Sequence, residues 1–501
     1  MTGSPKVHSE PHSDGAPQNT PPVLTVRTRV APSPTGFPHI GTLYQALFDY
    51  ALARKHGGQF VVRIEDTDQT RKVEGAEEAI YSALDWFNMT EDESPRMGGQ
   101  YSPYRQSERL DIYKQHALQL IADGHAYYCF CSKERLDEVR AAQQAIKQPP
   151  MYDKKCRTLS SEDVATRLAN NENHVIRMKI PSEIDGKKTI ALHDSIRGPI
   201  EFELALIDDQ VLMKSDGFAT YHLAVVVDDH HMNITHPIRG EEWVSSWPKH
   251  ALLYRAFGWA EINYNHTPIL RNLDRSKMSK RHGHTNISWY QEHGILPDAL
   301  RNFMCLLGWS HPEGKEIFSM EEFIEKFDFN DVSPSGPAFD LKKLEWMNGE
   351  YIRMMPEEDL ADRLYEYTQI YAEGRYSRDL IGYTVPFVQT RLKTLQDYDA
   401  YCRFFVEAPE TFEVDLTNQS DVFTKIVADL DRIDEKDWHA QIIGEHLQAT
   451  AQDVGLAFGK FFMLIRVALT GNKITPPTNE SMEILGKAEC IIRLQLFANG
   501  V

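Results

Sequence analysis

Two short segments, far apart in the chain, carry residues suited to binding phosphate groups. His39 and Gly41 lie where a loop rich in Pro and Ser gives way to a helical pattern, and residues 276–281 have the sequence SKMSKR. A helix start attracts anions, a glycine there leaves the backbone open to a ligand, and lysines neutralise phosphate charge. Either segment alone is more often ordinary surface, but their joint occurrence favours a nucleotide-binding site.

The residues around the first segment predict the elements that position it. Three of the five residues 26–30 are β-branched, which favours a strand, and the run stops at the stretch 32–36, whose Pro and Gly residues do not continue a strand. Apolar residues then recur at helical spacing from Ile40 to a Gly-Gly pair, and residues 60–64 have the pattern of a second buried strand. We therefore expect a βαβ unit whose helix start presents unpaired backbone N–H groups to a bound anion.

Four stretches of the chain resemble one known family. The signature segments of the glutamyl-tRNA synthetases of bacterial and organellar type are similar to RVAPSPTG (29–36), PHIG (38–41), RIEDTD (63–68) and the SKMSKR loop. In that family PHIG and SKMSKR correspond to the HIGH and KMSKS motifs of class I aminoacyl-tRNA synthetases. The resemblance extends from about Arg29 to about Arg353, and beyond that it concerns only length and helical content. It implies ATP-dependent ligation of L-glutamate to tRNA(Glu) through a glutamyl-adenylate, for protein synthesis.

The resemblance also implies the residues of an active site. ATP, with Mg²⁺, is expected to bind at His39, Gly41, Glu242, Lys277, Met278, Ser279, Lys280 and Arg281. The groups expected to act in catalysis, by holding the triphosphate and neutralising charge on the leaving pyrophosphate, are His39, Gly41, Lys277 and Lys280. L-Glutamate is expected to contact Arg29, Ala31, Ser33, Glu65, Tyr221 and Arg239.

Two of these contacts are expected to select the amino acid. Arg29 and Arg239 match the family arginines that hold the glutamate carboxylates. A guanidinium is planar, permanently charged and able to bind a carboxylate through two parallel hydrogen bonds. An arginine desolvated against the neutral amide of glutamine would lack a counter-charge, which predicts strong selection for glutamate. At position 225 this chain has Val where many family members carry Asn, so one side-chain contact to the amino acid is not assigned.

Three cysteines indicate a second, separate site. Cys129 and Cys131 flank a single residue. Cys156 follows later, and Tyr152 lies four residues before Cys156. A Cys-x-Cys pair with a distant third thiolate suits tetrahedral Zn²⁺. The spacing resembles the zinc site of some bacterial glutamyl-tRNA synthetases, in which a tyrosine matching Tyr152 completes the shell. Two interpretations stay open, one structural Zn²⁺ or three free cysteines, because three thiolates alone make an incomplete site.

The predicted fold class is α/β: a Rossmann-like parallel-sheet catalytic domain with an inserted α+β connective domain, followed by an all-α C-terminal domain. The apolar run 220–227 (TYHLAVVV) is predicted as a strand that ends at Asp228 and Asp229, at the edge where open α/β sheets bind ligands. Helical patterns are predicted at 110–122, 297–309, 360–371, 420–430, 454–469 and 482–497.

The expected division of the chain follows from these patterns and from the resemblance. It comprises a disordered tail at 1–24, the halves of the catalytic domain at 25–110 and 217–258, an inserted domain that binds the tRNA acceptor end at 111–216, a stem-contact region with the lysine-rich loop at 259–353, and a helical anticodon-binding domain at 354–501. The tail is polar and has almost no large apolar residues, which is typical of disorder.

Composition restricts the class of protein. The 501 residues have a formal net charge of −19, which argues against a generally basic nucleic-acid binder but allows one local basic face to dock a folded RNA. No apolar run is long enough to cross a membrane, and 6 cysteines do not make a disulfide framework in a chain of this length. The tail has neither an apolar signal core nor an Arg-rich presequence. We expect a cytoplasmic monomer without a membrane partner.

Other interpretations stay open. Glutaminyl-tRNA synthetase shares the class I frame, although Arg29 and Arg239 favour an acidic substrate. A truncated paralogue that charges a modified tRNA base would lack the C-terminal domain, and a small-molecule nucleotidyltransferase would lack the helical third of the chain. A catalytically silent tRNA-binding paralogue is disfavoured because both signature loops are kept. Charging of tRNA(Gln) beside tRNA(Glu) depends on anticodon contacts that these motifs do not locate.

Overall fold

The computed structural model describes residues 25–278 and 284–499. The expected disordered tail lies outside the described residues, as do Ser279, Lys280 and Arg281 of the lysine-rich loop. Within the described residues, no helix combines the length and the apolar character that a membrane span requires.

The described strands form small parallel and antiparallel sheets. They are β1 (Arg27–Val30), β2 (Gln59–Val62), β3 (Ala126–Cys129), β4 (Val175–Met178), β5 (Thr189–Asp194), β6 (Gly198–Glu203), β7 (Val211–Met213), β8 (Ile238–Gly240) and β9 (Asn265–Thr267). β1 pairs with β2 and β8 with β9 in parallel, whereas β3, β4 and β7 form an antiparallel sheet and β5 and β6 an antiparallel hairpin. The antiparallel sheets therefore lie in sequence between the two parallel pairs.

Helices make up most of the remaining structure. Those in the region of the sheets and directly after it are α1 (Ile40–Lys55), α2 (Ala76–Trp86), α3 (Leu110–Ala122), α4 (Lys133–Ala145), α5 (Ser161–Ala169), α6 (Tyr221–His231), α7 (Trp247–Phe257), α8 (Ile287–Glu292), α9 (Pro297–Cys305) and α10 (Met320–Lys326). The C-terminal helices are α11 (Leu341–Met354), α12 (Glu357–Tyr371), α13 (Arg378–Val388), α14 (Asp397–Cys402), α15 (Ser420–Leu430), α16 (Ala440–Asp453), α17 (Phe458–Thr470), α18 (Thr478–Leu485) and α19 (Lys487–Ala498).

The predicted βαβ unit is present. β1 and β2 pair in parallel register from Arg27 opposite Gln59 to Val30 opposite Val62, and α1 connects them. Most of α1 is buried, because it packs on β1 and β2 on one side and on α9 and α10 on another. A helix that is covered on several sides is apolar around much of its surface. The unit therefore holds the start of α1 next to the carboxyl ends of two parallel strands.

The strand predicted at 220–227 is wrong, because the structure has helix α6 there. α6 begins at Tyr221 after an extended Thr220, and its residues 223–229 are buried. A short apolar run does not distinguish a buried strand from a buried helix. Packing against α3 and α7 outweighs the strand preference of the consecutive valines. Asp228 and Asp229 therefore lie inside the protein on a helix and do not end a strand at the ligand-binding edge.

Four large hydrophobic cores hold the described part of the molecule together. One joins α1, β1 and β2 to α8, α9 and α10, and a second joins α3, β4 and β5 to α6 and α7. The third includes Leu296, Ile352, Leu360 and Cys402, and the fourth extends from Leu416 to Phe497. Helices on both sides of residue 354, the expected start of the last domain, share the third core.

Candidate active site

A cavity of about 710 Å³ lies at the carboxyl ends of β1, β2 and β8, next to the start of α1. The two distant segments that the sequence predicts to bind phosphate meet there, since His39 and Gly41 line one part of it and Lys277 and Met278 another. The other predicted site residues in its lining are Ala31, Ser33, Glu65, Tyr221 and Glu242. Arg29 and Arg239 are not in the lining, and each directly precedes a residue that is.

The start of α1 differs from the prediction in its backbone N–H groups. Gly41 N donates to His39 Nδ1 at 3.0 Å, and Thr42 N donates to His39 O at 2.8 Å. Ile40 N donates to Thr285 O at 2.8 Å. The expectation that these groups are unpaired is therefore wrong. Because His39 Nδ1 accepts a hydrogen bond, the neutral imidazole carries its proton on Nε2, the nitrogen that can donate to a phosphate oxygen.

The lysine-rich loop reaches the cavity through Lys277 and Met278. Met278 is buried, and its N–H donates to Leu270 O at 3.1 Å. This contact attaches the loop to the segment that follows β9. Lys277 is exposed at the cavity wall.

A buried network of ion pairs lies behind the cavity wall. Arg29 Nε contacts Asp229 Oδ1 at 3.0 Å, and Arg63 Nη1 contacts the same oxygen at 2.7 Å. Arg63 Nη2 also contacts Glu65 Oε1 at 3.1 Å. Burial would raise the pKa of Asp229, but Arg29 and Arg63 hold that pKa below its ordinary value. Burial raises the pKa of Glu65. Arg29 therefore already has a counter-charge inside the protein.

Arg239 contacts neutral groups. It is 4% exposed, and its Nη1 and Nη2 lie 2.8 Å from His250 Nδ1 and 3.0 Å from His266 Nε2. Its guanidinium lies over the Tyr264 ring, 4.6 Å from the centroid, and its Nε has no hydrogen-bond partner among the described residues. Burial raises the pKa of the Tyr221 hydroxyl, and the positive charge of Arg239 opposes this shift. The site thus holds a buried cation behind a residue of the cavity wall.

Comparisons with known proteins identify the family. The catalytic domain of the class I tRNA synthetases (E and Q) matches residues 25–346, and an anticodon-binding domain matches residues 359–498. The glutamate–tRNA ligase of Acidothermus cellulolyticus is 46% identical, over 94% of this chain and 95% of the relative. The chain belongs to the glutamate–tRNA ligase family. The glutamate–tRNA ligase of Cutibacterium acnes is 44% identical, over 94% of this chain and 97% of the relative.

Solved structures of glutamate–tRNA ligases match the fold. One from Elizabethkingia meningosepticum, in complex with its amino acid, has a TM-score of 0.84 and 36% identity and covers 95% of this chain and 99% of that one. The enzyme from Elizabethkingia anophelis has a TM-score of 0.84 and 36% identity, covering 95% and 100%. The predicted fold class is confirmed, as is the prediction of a class I aminoacyl-tRNA synthetase.

The cavity of this glutamate–tRNA ligase family member includes residues that the sequence did not single out. Among them are Tyr44, Gln45, Arg71, Gln106 and Trp243. The Trp243 ring packs 4.7 Å from the Tyr221 ring, centroid to centroid, and extends the same wall. Gln45 follows Gly41 at i+4 on α1, so helical periodicity alone predicts that both occupy one face. Sequence carries no comparable signal for Trp243.

The three cysteines of the predicted zinc site are close together. The Sγ atoms of Cys129, Cys131 and Cys156 all lie within 4.8 Å of one another, and those of Cys131 and Cys156 are 3.5 Å apart. The Tyr152 hydroxyl lies 3.3 Å from Cys129 Sγ and 3.5 Å from Cys131 Sγ. Tetrahedral Zn²⁺ with thiolate ligands requires ligand separations of about 3.8 Å. The cluster therefore fits this metal.

Proposed function

We propose that this chain ligates L-glutamate to tRNA(Glu) in two steps. The α-carboxylate of glutamate attacks the α-phosphorus of ATP, which forms glutamyl-adenylate and releases pyrophosphate. A hydroxyl of the terminal ribose of tRNA then attacks the acyl carbon and releases AMP. The observation that carries the proposal is that His39 and Lys277, from distant segments, line one cavity with Glu65 and Tyr221 in a chain of this family.

Neither step needs an enzyme nucleophile, so the residues act by positioning and by charge stabilisation. His39 Nε2–H donates to the triphosphate, and Lys277 and Lys280 neutralise the charge that develops on pyrophosphate. Mg²⁺ enters as the counter-ion of ATP. Gly41 keeps the helix start open, since a Cβ there would lie 3.3 Å from His39 Nδ1. The remaining nucleotide contacts are assigned to Glu242, Met278, Ser279 and Arg281.

The amino acid is assigned to the part of the cavity formed by Tyr221 and Glu65. Arg239 binds the side-chain carboxylate, because it is a buried cation with neutral neighbours. Arg29, whose charge Asp229 matches, is assigned a hydrogen-bonding contact to glutamate at the same end of the site. Glu65 binds the α-ammonium group, next to Ala31 and Ser33. Glutamine would leave Arg239 without a counter-charge, which is the basis of selection against it.

Two lysine variants test the assignment of the phosphate site. We expect Lys277→Ala and Lys280→Ala each to lose roughly 2.7–4 kcal/mol of transition-state stabilisation, which is about a hundredfold to a thousandfold in rate. Glutamate and tRNA binding should change little. ATP–pyrophosphate exchange with tRNA present measures the effect, and Lys425→Ala, whose lysine pairs with exposed Asp453, is the control. Unchanged exchange in both variants would remove the assigned role.

The competing substrates are distinguished by product. Purified tRNA(Glu) and tRNA(Gln) are each offered with glutamate and with glutamine, and the esterified amino acid is identified. We expect glutamate on tRNA(Glu), with residues 354–501 reading the anticodon. Glutamine on tRNA(Gln) as the main product would assign the enzyme to glutaminyl-tRNA synthesis. Retention of tRNA without any aminoacylation would indicate the silent paralogue.

A structural Zn²⁺ is assigned to Cys129, Cys131 and Cys156, with the Tyr152 oxygen as the fourth ligand. The separations of these atoms support the assignment, and the ion would connect β3 to the turn that carries Cys156. It takes no part in the reaction. None of the 6 cysteines forms a disulfide. The absence of disulfides suits a reducing compartment, so we assign the enzyme to the cytoplasm. We further propose that it is a monomer.

A further inference from the structure

Arg29 and Arg239 differ in their counter-charges. Asp229 pairs with Arg29, whereas no carboxylate of the described residues forms an ion pair with Arg239. Arg29 forms a two-point ion pair with Asp229. Arg239 forms no ion pair within the described part of the chain, and its Nε has no hydrogen-bond partner. Burying an unpaired cation is costly, so natural proteins seldom retain one without a use for it. The groups that hold Arg239 in this state are therefore of functional interest.

The tautomer of His266 is fixed by Asp194. Asp194 Oδ2 accepts from His266 N at 2.9 Å and from His266 Nδ1 at 2.7 Å, and Oδ1 accepts from Ile196 N and Arg197 N, both at 2.9 Å. Burial would raise the pKa of Asp194, but these donors hold that pKa below its ordinary value. The carboxylate is ionised, so His266 Nδ1 carries the proton. Its Nε2 therefore presents a lone pair to Arg239.

The tautomer of His250 is fixed from the other side. Arg239 can only donate, so His250 Nδ1 accepts and its Nε2 carries the proton. That proton is directed at His222 Nδ1, 3.1 Å away. Burial lowers the pKa of His222 to about 4 and that of His250 well below its ordinary value. Both imidazoles are therefore neutral at neutral pH. Arg239 donates to His250, and His250 donates to His222.

We propose that His250 and His266 are positioning residues that determine substrate charge: as neutral acceptors they orient the Arg239 guanidinium without cancelling its charge, which stays available to the side-chain carboxylate of glutamate. The inference rests on the proposed glutamate site. Two of the five N–H groups of Arg239 point to imidazoles. A protein carboxylate at either position would orient Arg239 equally well but would supply the counter-charge that the substrate must otherwise bring.

A matched pair of variants separates orientation from charge. Asn and Asp have the same shape, and both place Oδ1 near the position of His Nδ1, so His250→Asn keeps a neutral acceptor and His250→Asp supplies an anionic one. We expect the KM for glutamate to stay close to wild type in His250→Asn and to rise roughly 100-fold in His250→Asp. The kcat at saturating glutamate and the KM for ATP should match between the variants.

Thermal unfolding provides a readout that a merely structural role would not produce. In His250→Asp the buried guanidinium gains a partner, so its Tm should equal or exceed that of His250→Asn although its glutamate KM is far higher. The preference for glutamate over glutamine in pyrophosphate exchange should fall in the Asp variant by about as much as the glutamate KM rises. Equal glutamate KM values in the two variants would overturn the inference.

Asp194→Asn gives a second, independent measurement if His250→Asp fails to fold. An amide cannot accept from all four N–H groups around Asp194, so His266 is driven towards the tautomer that points Nε2–H at Arg239, and we expect roughly a tenfold rise in glutamate KM with the KM for ATP unchanged. An unchanged glutamate KM would overturn the inference. If the wild-type enzyme shows no glutamate-dependent ATP–pyrophosphate exchange, the proposed function itself is overturned.

Discussion

The Arg29 guanidinium and the Asp229 carboxylate form a buried two-point ion pair, with Nε–Oδ1 at 3.0 Å and Nη2–Oδ2 at 3.3 Å. The pair joins β1 to α6, and Arg63 shares its Oδ1 atom at 2.7 Å. The side chains of Arg29 and Asp229 are 4% and 1% exposed, so water does not screen the charges. The wall of the proposed active site is therefore tied to a helix that carries Tyr221 at its other end.

Removing the carboxylate from this network should destabilise the protein strongly. We expect Asp229→Ala to cost about 3–5 kcal/mol, because Arg29 and Arg63 would keep buried charges with one partner fewer. Urea denaturation followed by circular dichroism measures the change. Asp453→Ala removes a carboxylate from an exposed pair with Lys425 and should cost at most about 1 kcal/mol. A similar small loss in both variants would contradict this account.

Asp229 also shows why part of the site could not be predicted from the sequence. The consecutive valines before it are compatible with a buried strand or a buried helix, and only packing against α3 and α7 decides for the helix. Its ion pair with Arg29 depends on which face of α6 meets β1, a relation that no local pattern contains. Family resemblance, in contrast, predicts from the sequence alone that His39 and Lys277 share one site, and both residues line one cavity.

Local periodicity predicted many elements closely. The helices predicted at 110–122 and 420–430 have those bounds in α3 and α15, because each alternates apolar and polar residues at helical spacing. The helix predicted at 482–497 is instead divided into α18 and α19 at Gly486, which has φ +82°. The apolar period continues across the break, so the pattern alone does not reveal that a glycine in this conformation ends one helix there.

Gly240 controls the position of Glu242, a predicted ATP contact. A Cβ at residue 240 would lie 2.2 Å from Glu242 Oε2 and 2.8 Å from Gln45 Nε2. The backbone of Gly240, at φ −68° and ψ 151°, is ordinary for alanine, so the two flexible side chains would have to move. We expect Gly240→Ala to raise the KM for ATP by roughly tenfold while the free energy of unfolding changes little.

Steady-state pyrophosphate exchange at varied ATP checks this effect of Gly240→Ala. Gly382→Ala is the matched control, because Gly382 lies on helix α13 and a Cβ there would meet no described atom within 4 Å apart from the helix's own backbone. That control should keep the wild-type KM for ATP. An ATP KM in Gly240→Ala equal to that of the control would show that the glycine does not position Glu242.

Metal content tests the cysteine cluster. We expect purified enzyme to contain one Zn²⁺ per chain and Cys131→Ser to lose most of it, because a hydroxyl is a poor zinc ligand. Elemental analysis after extensive dialysis measures the content, together with Tm, which should fall with the metal. Cys305→Ala, whose thiol is buried in a different core, is the control and should keep the zinc. A wild-type enzyme free of zinc after expression in zinc-supplemented medium would support three free cysteines.

The buried histidines predict how stability depends on pH. Burial lowers the pKa of His222 and of His266 to about 4 in the folded protein, whereas an unfolded imidazole titrates near pH 6.5. Between these values the unfolded chain binds about one proton more per histidine, so stability falls as pH falls from about 6.5 towards 4 and is unaffected by these groups above that window. Each histidine should change the free energy of unfolding by about 1.4 kcal/mol per pH unit near the middle of the window.

A variant of His222 tests this dependence. Asn at position 222 keeps an acceptor for His250, so His222→Asn should lower the slope of unfolding free energy against pH by about one proton. Urea denaturation at a series of pH values from about 5 to 7 measures both slopes, and equal slopes would contradict the assignment.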